Sequence, residues 1–109
     1  MIRKECPSYQ ISIFIAGDPW KAQQVCREYC DDIGFCITVT ESTYVYRGDD
    51  EIGVIVGVIN YPRFPMSPEG LFGHASLIAG RLREALGQDS YTIQTPDKTV
   101  WISYREQDA

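Results

Sequence analysis

Residues 10–34 read QISIFIAGDPWKAQQVCREYCDDIG, and this stretch contains the opening strand and helix of the fold. Ile11, Ile13 and Ile15 alternate with smaller or polar neighbours, the period of a strand with one buried face. The chain then turns through Gly17-Asp18-Pro19-Trp20. Asp18 can accept from the free amides of a helix start, and Pro19 suits the first helical position because its missing amide has no partner there anyway. Ala22, Val25, Cys26, Tyr29, Cys30 and Ile33 recur at three- and four-residue spacing, which predicts one buried helical stripe. Gly34 supplies a left-handed stop.

The rest of the chain follows from the same signals. FCITVTESTYVYR (35–47) is rich in Thr, Val and Tyr and predicts one long strand, with a bulge near Glu41 and Ser42. GDDE (48–51) is the turn and IGVIVGVIN (52–60) the returning strand. That strand stops at Asn60, since Pro62 lacks the amide a ladder needs. YPRFP (61–65) is held extended by its prolines. Ser67, Pro68 and Glu69 start a second helix. Its buried stripe is Leu71, Ala75, Ile78, Leu82 and Ala85 or Leu86, and Gly87 ends it. YTIQT, the turn PDK and TVWISY form a final hairpin. The order β-α-β-β-α-β with one more strand predicts an α+β fold: a ferredoxin-like antiparallel sheet with two helices on one face. Residues 1–109 read as a single domain, with 1–8 and 105–109 as loose ends.

Composition narrows the function classes. The chain has 109 residues, 44% of them hydrophobic, enough for one core. A net charge of −5 argues against a sequence-independent grip on nucleic-acid phosphates. No stretch has the ~20 apolar residues of a membrane helix, and the N-terminus lacks the apolar core of a signal peptide, so a cytoplasmic protein is expected.

Candidates for chemistry are few. Cys6, Cys26, Cys30 and Cys36 read as free thiols in a reducing compartment. Cys26, Cys30, Cys36 and His74 could hold a metal, but both helical cysteines belong to the buried stripe, where thiols pack as small hydrophobes. The acidic run Asp49, Asp50 and Glu51 reads as turn chemistry before cation binding. His74 is the sole histidine and has no nucleophile beside it in sequence. No phosphate-binding loop or nucleophile elbow is present. The expectation is no metal, no cofactor and no catalytic set.

Strand parity points elsewhere. With Ile11, Ile13, Ile15, Phe35, Ile37, Val39, Ile52, Val54, Val56, Val58, Val100 and Ile102 toward the helices, the other face carries Phe14, Tyr44, Tyr46, Ile55, Ile59 and Trp101. An aromatic, β-branched face with flat glycine gaps marks an interaction surface. Tyr61, Arg63 and Phe64, between prolines, are residue types that dominate binding hot spots. The stretches VCREYCDDIGFCITVT, TYVYRG and VGVINYPRFP resemble small accessory proteins of bacteriophages and prophages, over roughly Ile11 to Pro65. That resemblance implies a protein acting in the bacterial cytoplasm on a host factor, and assigns no chemistry to any residue.

The leading expectation is therefore a non-catalytic protein-binding module whose partner-binding residues are Tyr61, Arg63, Phe64, Tyr44, Tyr46, Ile55, Ile59 and Trp101. Its partners would be a second copy, through the sheet face, and another protein. The alternative is a small-molecule-binding protein or small enzyme built as a ferredoxin-like homodimer, with His74, Tyr44, Tyr46 and Trp101 lining the pocket. An acidic mimic of nucleic acid is the weakest reading, because basic residues interrupt its charges.

Overall fold

Each helix begins as its cap predicts. In the computed structural model, which describes residues 1–109, the Trp20 amide donates to Asp18 Oδ1 at 3.0 Å and the Gly70 amide to Ser67 Oγ at 3.0 Å. These bonds satisfy amides that have no partner within the first helical turn. The elements in chain order are β1 (Gln10–Ala16), α1 (Pro19–Ile33), β2 (Thr38–Tyr46), β3 (Asp49–Ile59), α2 (Pro68–Leu86), β4 (Ser90–Gln94) and β5 (Thr99–Ser103), followed by a 3-10 turn at Glu106–Asp108.

The five strands form one sheet in the order β2-β3-β1-β4-β5, and every pairing is antiparallel. The first four strands have the ferredoxin-like order, and β5 adds a strand outside β4. The helices pack on the face that carries Ile11, Ile13, Ile15, Val54, Val56, Val58 and Ile93, which join Ala22, Cys26, Tyr29, Leu71, Ala75, Ile78 and Leu82 in one core. Burying each large side chain there contributes roughly 1.5–3 kcal/mol. No helix is long and apolar enough to cross a membrane.

Four local expectations are corrected. β2 pairs with β3 residue for residue from Thr38↔Gly57 to Tyr46↔Asp49, so there is no bulge at Glu41 and Ser42. The turn is not GDDE but Arg47-Gly48, with φ of 34° and 74°, the left-handed pair that a tight two-residue hairpin requires. Asp49, Asp50 and Glu51 instead begin β3. Ile33 and Ile52 are about half exposed rather than core. For Ile52 the reason is length: β1 reaches only to Ala16↔Gly53, so the hairpin beyond it runs past the body of the sheet.

Hydrogen bonds also reach both ends of the chain. Arg105 Nε pairs with Asp108 Oδ2 at 2.7 Å, and Ser103 Oγ donates to the same oxygen at 2.6 Å. At the other end, Asn60 ties residues 6–9 to the sheet, as described next.

Candidate functional site

Asn60 stands where β3 stops, and the coming Pro62 leaves its polar groups to be satisfied sideways. Its amide donates to Tyr9 O at 3.0 Å and its side-chain NH2 to Pro7 O at 2.9 Å. Its Oδ1 accepts from the Met66 amide at 2.9 Å, and its carbonyl accepts from the Cys6 thiol at 3.4 Å. One buried side chain therefore holds both the N-terminal segment and the proline loop against the sheet end.

Around Tyr9 lie three neighbouring hollows, each with that ring in its wall, which together make the Tyr9 groove. The first, about 340 Å3, is lined by Tyr9, Pro68, Glu69, Phe72, Asp97 and Lys98. The second, about 360 Å3, lies under Pro7, Asn60, Pro65, Met66 and Ser67. The third, about 330 Å3, is bounded by Gln10, Ile59 and Pro96. Each falls within the ~300–1,000 Å3 range of small-molecule sites. Tyr9, just before β1, and Phe72 of α2 both pack against the core. The Tyr9 hydroxyl donates to Asp97 Oδ2 at 3.0 Å. Lys98 Nζ stands 5.1 Å from the centre of the Phe72 ring. The two ion pairs of the molecule, Arg3–Glu5 and Arg105–Asp108, lie elsewhere, which leaves Glu69 and Lys98 without charged partners. Apolar walls with a carboxylate and an ammonium at the rim suit a mixed apolar and zwitterionic ligand.

The residues singled out from sequence fall into two other regions. Cross-strand partners share a face, so the register puts Phe14, Ile55, Tyr44, Tyr46, Ile59 and Trp101 on the side away from the helices. Trp101, Tyr46 and Ile59 are exposed there, while Phe14, Tyr44 and Ile55 are half-buried. Tyr44 is held down on that face: its hydroxyl donates to Val54 O at 2.5 Å, and its ring lies against Gly53. In the proline loop, Arg63 and Phe64 are exposed and Tyr61 half-buried, with the Tyr61 and Phe64 rings 5.3 Å apart.

The cysteines and His74 do not share a centre. The Cys36 thiol donates to Tyr61 Oη at 3.3 Å. That bond, ahead of burial, holds the Tyr61 phenol above its ordinary value. His74 Nδ1 hydrogen-bonds the Tyr29 hydroxyl at 2.6 Å, and its ring stacks on Phe35 at 4.6 Å. A separate hollow of about 310 Å3 is lined by Cys26, Cys30, Arg27 and Asp31 among others. Burial, with Cys30 beside it, pushes the Cys26 thiol up to about 12, and burial also raises Cys30. Neither is a ready nucleophile, since the thiolate is the reactive form.

Sequence reasoning missed Tyr9, Glu69, Phe72, Asp97 and Lys98 as a group. They come from the β1 approach, the first turns of α2 and the β4–β5 turn, and only folding brings them together. The one local signal was Asn60, a polar residue ending an apolar strand before proline.

No protein-family model matches the sequence, and no curated protein matches it. Among solved structures, the chain is similar to a phage SAM lyase in its apo state, with a TM-score of 0.70 at 17% identity, covering 87% of this chain and 88% of that one. It is also similar to a phage SAM lyase in complex with S-methyl-5'-thioadenosine, with a TM-score of 0.66 at 16% identity, covering 94% and 95% of the two chains. At these identities the likeness establishes a shared fold, and both neighbours are phage proteins. It also overturns the expectation of a non-catalytic protein-binding module. The arrangement is shared over nearly the full length of an enzyme seen with a small molecule.

Proposed function

We propose that this chain is a small phage-type accessory enzyme that binds S-adenosylmethionine (SAM) and cleaves it, releasing S-methyl-5'-thioadenosine. The observation that carries this reading is the near end-to-end likeness to phage SAM lyase, in one case with that thioether in complex. The groove at Tyr9 is the site we assign to it.

The chemistry of the ligand fits that groove. SAM is a sulfonium cation, and aromatic faces and carboxylates both attract such a charge. Tyr9 and Phe72 offer the rings, and Glu69 and Asp97 the carboxylates. The net charge of −5 favours the approach of a cation over that of an anion. When the C–S bond breaks, both its electrons go to sulfur and the thioether leaves neutral. The carbon that loses sulfur takes the replacing pair from the rest of the substrate, and any proton released passes to a carboxylate or to water. The protein's part is to hold the chain of the substrate in a reactive conformation and to shield it from water.

The test is incubation of the purified protein with SAM and chromatographic detection of S-methyl-5'-thioadenosine. Release above the protein-free rate is expected, with Tyr9→Ala and Phe72→Ala each lowering kcat/KM by about fivefold to thirtyfold, as loss of a ring contact worth roughly 1–2 kcal/mol implies. No release, together with no binding of either nucleoside by calorimetry, would refute the reading.

A further inference from the structure

Lys98 is the one cation lining the Tyr9–Phe72 hollow, and the turn that presents it is firmly built. Thr95 is buried, and its amide and its hydroxyl each donate to Lys98 O at 2.9 Å. The same hydroxyl oxygen accepts from the Lys98 amide at 3.0 Å and from the Asp97 amide at 3.1 Å. The Lys98 backbone is thereby fixed beside the groove. Its ammonium has no carboxylate partner and stands 5.1 Å from the centre of the Phe72 ring. That is where an aromatic face attracts a cation, and so where a sulfonium would be drawn.

We infer that Lys98 is a specificity-determining residue of this groove: its ammonium disfavours the cationic sulfonium substrate relative to the neutral thioether product. The inference rests on the proposed function. A substrate cation reaching Phe72 must displace the ammonium or sit beside it, and like charges a few ångströms apart repel. Glu69 and Asp97 keep the substrate attracted to the rim, while Lys98 opposes its charge at the ring. Cleavage removes the positive charge from sulfur, and with it the repulsion. The bound substrate is therefore raised in energy relative to the transition state, in which the charge is already leaving.

The experiment compares Lys98→Met and Lys98→Arg with the unaltered protein. Calorimetry gives the dissociation constants of SAM and of S-methyl-5'-thioadenosine at low and high salt. Lys98→Met keeps the aliphatic stem and removes the charge. It is expected to tighten SAM by about threefold to tenfold at low salt and leave the thioether within about twofold, an exposed charge being partly screened. The gain shrinks at high salt, kcat falls with KM, and Lys98→Arg behaves like the unaltered protein. An unchanged ratio of the two constants in Lys98→Met, or an equal shift of both, overturns the inference while the proposed function stands. If the unaltered protein binds neither nucleoside, the proposed function fails and this inference fails with it.

Discussion

Asn60 is the residue on which the groove depends. Its four hydrogen bonds reach Cys6, Pro7, Tyr9 and Met66, segments that share no regular pairing with one another. Removing the side chain takes the partner from the part-buried Pro7 carbonyl and Met66 amide, and each lost hydrogen bond costs about 0.5–1.5 kcal/mol where water can reach the group. Asn60→Ala is expected to lower stability in urea unfolding by roughly 1–3 kcal/mol for the two bonds together, and to speed amide exchange at Met66. A loss under ~0.5 kcal/mol, the size of an ordinary surface change, would mean that water replaces the side chain at both places. At this scale the sequence was partly legible. Asn60 before a proline signalled a strand end, but its partners lie 53 residues back in Pro7 and 6 forward in Met66.

The elements were legible for a different reason. Strand alternation and helix caps act over a few residues, so β1, α1 and α2 were readable from their own letters. The β2–β3 turn was misplaced because Gly48 and the three acidic residues after it all resemble turn residues. Backbone geometry decides it, with Arg47 and Gly48 in the left-handed region and Asp49 already paired with Tyr46. Gly53 shows the limit most clearly. A Cβ there would lie 2.5 Å from Ile15 O and 2.7 Å from both Ala16 Cα and Tyr44 Cε2. Two of those atoms are backbone and cannot move aside cheaply. Gly53→Ala is expected to destabilise the protein by about 1–3 kcal/mol, the usual cost of overpacking. Gly80→Ala in α2, where a Cβ meets nothing within 4 Å, is expected to stabilise by about 0.5–1 kcal/mol. Thermal melts of the two variants shifting in the same direction would contradict this account.

At the scale of the whole molecule, the uncovered sheet face remains. Helices cover one side only, and the other carries Phe14, Ile55, Ile59, Tyr44, Tyr46 and Trp101. We propose that a second copy covers it in a two-fold pair, since a self-complementary patch needs no other gene product. Burying each large apolar side chain contributes roughly 1.5–3 kcal/mol, and the net charge of −5 opposes association only weakly at moderate salt. Light scattering at micromolar concentration is expected to report a mass above that of the 12.4 kDa chain, and Ile55→Asp to return it to the monomer. A monomer throughout would sink the proposal.

The letters of the chain determined the elements, their order and the two faces of the sheet, because those depend on periods of two and 3.6 residues and on caps one turn long. Only the tertiary structure decided where a ligand could bind. The groove joins Tyr9, Glu69 and Phe72, and Asp97 and Lys98, from three separate stretches of chain. No local period marks such residues. Exposed groups at turns and helix starts look like ordinary surface until antiparallel pairing brings the start of β1, the end of β3 and the β4–β5 turn to one end of the sheet.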